Sequence, residues 1–122
     1  MNNWENGMKD ENVIKDKSMA FAIRIVRLYK YLSKEQHEYV MSKQVLRSGT
    51  SIGANVCEAV YGQSKPDFTA KMSIALKEAA ETEYWLELLH KTDYLPAAAF
   101  RSIRLDCQEI CKLLTTIVRN SK

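Results

Sequence analysis

Gln44-Val45-Leu46-Arg47-Ser48-Gly49-Thr50-Ser51-Ile52-Gly53-Ala54-Asn55-Val56-Cys57-Glu58-Ala59 decides the fold. Read at helical spacing, Val45, Ile52, Val56 and Ala59 fall on one side, and Ser48, Ser51, Asn55 and Glu58 fall on another. The stretch is a helix with two working faces. Gly49 and Gly53, with Ser48, Thr50 and Ser51 between and beside them, are poor interior helix residues, each glycine costing about 1 kcal/mol relative to alanine. The close approach of a neighbouring helix is the compensation that such a sequence needs.

Working outward, Ser33-Lys34-Glu35-Gln36 reads as a turn with a capping box, which starts this helix near Gln36. Gly62 ends it by supplying a positive backbone angle. Before it, residues 13 to 32 form a first helix with Phe21, Ile25, Leu28 and Leu32 on one stripe and Met19, Ile23 and Val26 on an adjoining one. That apolar arc is too wide for one neighbour, and its polar remainder, Arg24, Arg27, Tyr31 and Lys34, is narrow and basic. Residues 1–12 lack an apolar period and read as a flexible leader, with Trp4 as a local anchor. After it, Ser64-Lys65-Pro66-Asp67 is a second capping box, opening a third helix along Phe68, Met72, Ala75, Leu76, Ala79, Leu86 and Leu89. Thr92 to Leu95 break that helix, and Pro96 opens a fourth, whose stripe is Phe100, Ile103, Cys107, Ile110, Leu114 and Ile117.

Four helices with short connections predict an antiparallel up-down-up-down four-helix bundle over residues 13–122. A chain of 122 residues, 46% hydrophobic and 27% charged, holds one domain with a modest core. No apolar run reaches the roughly 20 residues of a membrane span and no signal segment is present, so the expectation is a cytoplasmic protein with no membrane partner. Cys57, Cys107 and Cys111 lack a paired CxxC spacing and read as small buried apolar residues rather than a disulfide or zinc framework.

Two blocks carry a resemblance. Arg47-Ser48-Gly49-Thr50-Ser51-Ile52-Gly53-Ala54-Asn55-Val56 with Glu58-Ala59 forms the first. The second is Asp67-Phe68, Lys71, Ile74-Ala75-Leu76-Lys77-Glu78-Ala79, Glu81-Thr82 and Tyr84-Trp85-Leu86. In this order and at this separation the chain resembles the bacterial four-helix-bundle family encoded in 23S rRNA intervening sequences. The resemblance is strong from Tyr29 to Leu95 and looser in the flanking helices. It implies a closed homo-oligomeric ring, typically a homopentamer. A related branch is the accessory protein of diversity-generating retroelements, a basic pentamer that works with a reverse transcriptase and nucleic acid. Cys57 departs from the small apolar residue usual in the family, without consequence for the fold.

Arg47, Ser51, Asn55 and Glu58 on the second helix, with Glu78 and Glu81 on the third, form a polar cluster beyond what a plain bundle requires. One reading is a hydrogen-bonded network that fixes helix register within the subunit or at an interface; the other is a metal or acid-base site. Glu87-Leu88-Leu89-His90 has the Glu-x-x-His spacing of di-iron bundles, but such sites need the motif twice, and His37 has no Glu three residues before it. His90 reads instead as a residue favouring the helix C-terminal dipole. There is no GxSxG elbow, no phosphate-cradling glycine loop, no Cys with a helical His partner and no Arg–His pair at the spacing of HEPN ribonucleases. The expectation is a non-enzymatic protein without cofactor or metal.

Charge is informative by segment. Lys15 to Lys34 carries a local balance of +5 and Pro96 to Lys122 one of +3, against −2 for Asp67 to Lys91. The first and last helices are neighbours in such a bundle, so their polar sides can join into one basic surface suited to phosphate backbones. Arg24, Arg27, Lys30, Arg101, Arg104 and Lys112 are the candidates for contact with RNA or DNA. A net charge of +3 is also what plain solvation requires. Two functions are expected: a nucleic-acid or ribonucleoprotein accessory module, with the ring and the reverse transcriptase partner that the resemblance implies, or a structural scaffold in which the wide apolar arc packs subunits.

Overall fold

The computed structural model describes residues 3–62 and 64–122, with side chains from residue 9 onward. Four helices account for nearly all of it: α1 (Asn3–Lys34), α2 (Met41–Val60), α3 (Lys65–Lys91) and α4 (Ala97–Ser121). Each packs on its neighbours in the chain, and α1 closes against α4 over the smallest contact of the four. Residue pairs across the α1–α4 and α2–α3 seams run in opposite directions: Lys17 meets Glu109 while Arg24 meets Asp106, and Arg47 meets Glu78 while Glu58 meets Lys71. The result is an antiparallel four-helix bundle.

The expected stripes form the core. Phe21, Ile25, Leu28 and Leu32 of α1, Val45, Ile52, Val56 and Ala59 of α2, Met72, Ala75, Ala79, Leu86 and Leu89 of α3, and Phe100 to Ile117 of the α4 stripe are all buried. Met19, Ile23 and Val26 remain on the outside of α1, 63%, 45% and 37% exposed, so their half of the arc finds no neighbour within the subunit. Of the cysteines expected to be buried, Cys107 is, Cys111 is only half so, and Cys57 is exposed.

The glycines of α2 sit where α1 presses on it. A Cβ at Gly49 would lie 2.7 and 2.8 Å from Cγ1 and Cγ2 of Ile25, and one at Gly53 would lie 3.4 Å from the Ser18 hydroxyl. At Gly49 close approach thus offsets the poor helix propensity, whereas the separation at Gly53 is ordinary van der Waals contact. Across the other seam of α2 the buried Ser48 and Thr82 hydroxyls meet at 2.9 Å.

Several boundaries differ from those read in the sequence. The flexible leader expected over 1–12 is helical from Asn3 onward, because α1 propagates through this polar stretch at one backbone hydrogen bond per residue added. Met1, Asn2 and the side chain of Trp4 lie outside the described residues. The capping box at Ser33 does not form. Ser33 is still within α1 and donates its hydroxyl to the Tyr29 carbonyl at 2.8 Å. The chain then turns at His37, φ 53°, and α2 starts at Met41 rather than near Gln36.

The cap of α2 is Glu38, whose carboxylate accepts the amides of Val40 and Met41, both at 2.9 Å, and of Ser42 at 2.6 Å. The Ser42 hydroxyl returns to the Glu38 carbonyl at 2.8 Å. Gly62 has no positive φ; its amide bonds the Ala59 carbonyl at 3.1 Å, and a Cβ there would displace only the tip of the Asp67 side chain, so the expected positive backbone angle is not what ends α2. Ser64 caps α3 as expected, accepting the Asp67 amide at 3.1 Å.

Candidate nucleic-acid interface

The basic residues of α1 divide by the side of the helix they occupy. Arg24 turns toward α4, where its guanidinium meets the Asp106 carboxylate at 2.5 Å and the Ser102 hydroxyl at 3.1 Å. Two turns earlier on α1, Lys17 pairs with Glu109 at 3.1 Å. The α1–α4 seam is therefore lined by α4's own carboxylates. Arg27, Lys30 and Lys34, spaced three and four residues apart, lie along one outer face of α1, all exposed and without an ion pair among the described residues.

The basic residues of α4 do not join them. Arg104 reaches the Glu83 carboxylate of α3 at 3.5 Å and lies over the Phe100 ring at 5.5 Å, while Gln108 donates to the same carboxylate at 3.1 Å. Arg101 and Lys112 stand three residues before Arg104 and four after Gln108, on this α3-side stripe, exposed and without ion pairs among the described residues. A single basic surface across the α1–α4 seam is not what the six candidates build. They form two cationic stripes, Arg27 and Lys30 on α1 and Arg101 and Lys112 on α4, with Arg24 and Arg104 held by carboxylates.

Between the C-terminal half of α1 and the start of α4 the smaller contact leaves an open groove of about 420 Å³. Leu28, Leu95 and Ile103 form its buried floor, Tyr31, Pro96 and Ala99 its walls, and Arg24 and Arg27 its rim. Tyr31, grouped with the polar face of α1 in the sequence, is half-buried, and its hydroxyl accepts the Gln36 amide at 2.8 Å. The signal that was available for this groove is the run Ala97-Ala98-Ala99 directly after Pro96, which leaves the first turn of α4 without bulk.

The polar cluster of α2 and α3 is partly assembled. Arg47 bridges Glu78, at 3.1 Å, and Glu81, whose carboxylate also accepts the Trp85 indole N–H at 3.0 Å. Ser51 and Asn55 bond back to their own helix, to the carbonyls of Arg47 at 2.7 Å and Ser51 at 2.8 Å. Glu58 stands apart with Lys71, at 3.2 Å. This arrangement ties α2 to α3 near the surface, and the Glu78 and Glu81 carboxylates share a cation already supplied by the chain. Thr82, buried beneath them, is the member that the sequence reading passed over.

The remaining titratable groups are engaged in structure. Glu87 is held below the ordinary carboxylate range by its hydrogen bond and charge pairing with Lys91 at 2.9 Å. His90 donates from Nδ1 to the Leu95 carbonyl at 2.9 Å and stacks on Phe100 with ring centroids 4.4 Å apart, so it pins the α3–α4 turn to α4. The Cys107 thiol is pushed up by its hydrogen bond with Cys111 and by burial, and stays protonated. Among the described residues no three His, Cys, Asp or Glu side chains converge as a metal site would require, and no helix is long and apolar enough to cross a membrane.

Comparison with known proteins agrees with this architecture. The family described as 23S rRNA-intervening sequence protein matches residues 10–116. A crystal structure of a protein with unknown function from the S23 ribosomal protein family of Bacteroides thetaiotaomicron VPI-5482 is similar at 60% identity and a TM-score of 0.89. The match covers 90% of this chain and 98% of that one. Comparison with curated proteins returns no match.

Proposed function

Because this chain belongs to the 23S rRNA-intervening sequence protein family, we propose that it is a non-enzymatic homo-oligomer, a pentameric ring. Its role in this reading is that of a nucleic-acid-binding or ribonucleoprotein accessory module beside a reverse transcriptase or similar polymerase. The observation that carries the reading is the row Arg27, Lys30 and Lys34, exposed cations that no carboxylate among the described residues satisfies. A ring repeats that row about its axis, and repetition compounds contacts that are weak singly. Contacts of this kind reach phosphates and bind without sequence preference.

Association with unrelated RNA and DNA at low salt is the expected result. Arg27→Gln with Lys30→Gln is expected to weaken all of them alike and to flatten the slope of log affinity against log salt by about 1.5. Absence of association at low salt would remove the reading.

A second reading, a scaffold without nucleic acid, draws on the Met19, Ile23 and Val26 stripe, three exposed apolar side chains along the outside of α1 that no neighbour within the subunit covers. Mass measurement at micromolar concentration is expected to show an oligomer. Ile23→Glu is expected to dissociate it with helicity retained, and a wild-type monomer would contradict assembly in both readings.

A further inference from the structure

The groove between α1 and α4 has the make-up of a site for a flat apolar group attached to an anion. Its floor of Leu28, Leu95 and Ile103 is apolar and buried, and Tyr31 is a wall whose hydroxyl is tethered by Gln36. At about 420 Å³ it falls within the range of small-molecule pockets. Of the two arginines at its rim, Arg24 is occupied by Asp106 and Ser102, whereas Arg27 has no ion pair among the described residues.

What selects the occupant is the charge beyond the rim. A free apolar anion would use Arg27 alone. Lys30 and Lys34 continue from it along the same face of α1, each step rising about 5 Å. A row of cations leading into an apolar slot complements a chain of phosphates bearing a base that can leave its stack. A duplex keeps its bases stacked inside and offers only phosphates to such a row.

We infer that the groove takes one unpaired nucleobase of a single strand, with the adjoining phosphate against Arg27. This rests on the nucleic-acid reading above and deepens it from phosphate contact to a preference for single strands. Tyr31 supplies the aromatic surface for the base, and Ala99 supplies the space that a larger side chain would fill.

The test is fluorescence anisotropy at low salt with three probes: a short oligodeoxythymidylate, an abasic sugar-phosphate strand of equal length, and a duplex. The thymidylate strand is expected to bind about tenfold more tightly than the abasic strand, and the duplex less tightly than the thymidylate. Ala99→Phe is expected to reduce the thymidylate affinity to that of the abasic strand, with the abasic affinity and the melting temperature unchanged. Ala98→Phe, next to it but not lining the groove, should change neither affinity.

Equal binding of thymidylate and abasic strands by the wild type overturns the base site and leaves phosphate contact standing. Binding of no probe overturns both. A change of oligomer mass on Ala99→Phe also overturns it, because the groove would then hold another copy of the chain.

Discussion

Replacing Gly49 with valine is expected to lower the free energy of unfolding by about 3 kcal/mol, read as a fall in the urea midpoint at unchanged slope. A single methyl at this position already meets Cγ1 and Cγ2 of Ile25 at 2.7 and 2.8 Å. Those atoms sit at the root of a β-branched, fully buried side chain, so they cannot swing aside as the tip of a lysine would. Gly49→Ala therefore sets a steric loss of about 1–3 kcal/mol against a gain of about 1 kcal/mol in helix propensity. Sterics win.

Valine adds two further methyls to the same collision. In a double-mutant cycle, Gly49→Ala combined with Ile25→Ala should cost less than the two single losses together by about 1 kcal/mol. At Gly53 the nearest atoms, the Ser18 hydroxyl and carbonyl oxygens, would lie 3.4 and 3.5 Å away. Gly53→Ala should then be neutral or stabilising by up to about 1 kcal/mol. Equal losses at both glycines would show that α2 needs backbone freedom, not the proximity of α1.

Glu38→Ala is expected to cost about 2 kcal/mol, because three amides at the start of α2 lose one acceptor together. Burial alone would push the Glu38 carboxyl up, but the hydrogen bonds from the Met41, Val40 and Ser42 amides outweigh it and leave the group below its ordinary 4.5. A carboxyl with a depressed folded-state pKa contributes stability that is complete above the unfolded value. That contribution is lost as pH falls through the folded value. Acid unfolding below about pH 4.5 should therefore be shallower in Glu38→Gln than in the wild type. Parallel pH profiles for the two proteins would show that the carboxylate is not the cap.

Much of this architecture is written in apolar spacing. Every residue of the α2 stripe Val45, Ile52, Val56 and Ala59 is buried, as is the whole α4 stripe from Phe100 to Ile117. Spacing identifies which face of a helix goes inward and little else. Ser33-Lys34-Glu35-Gln36 has the composition of a cap, yet tertiary packing carries α1 into it as far as Lys34 because Leu32 is fully buried in the core. The true cap, Glu38, is outside the residue types that ordinarily hold that place, and its mate Ser42 resembled an ordinary helix residue.

The basic surface was misjudged for a different reason. Helix order makes α1 and α4 neighbours, but the hand in which four helices wind around the core decides which flank of α4 meets α1. No periodicity encodes that hand. The Arg24–Asp106 and Arg104–Glu83 pairs, 82 and 21 residues apart in the chain, settle it, and they turn the acidic flank of α4 to α1.

Most packing in this bundle joins helices that follow one another, and only the closure of α1 on α4 spans the chain. Folding such a molecule requires few long loops to be closed before contacts reward them, which places it among helical domains that form in microseconds to milliseconds. The N- and C-terminal helices are then expected to meet last, after the other three seams have formed. Substitutions at Arg24 or Asp106 should accordingly leave the folding rate nearly untouched and speed unfolding instead.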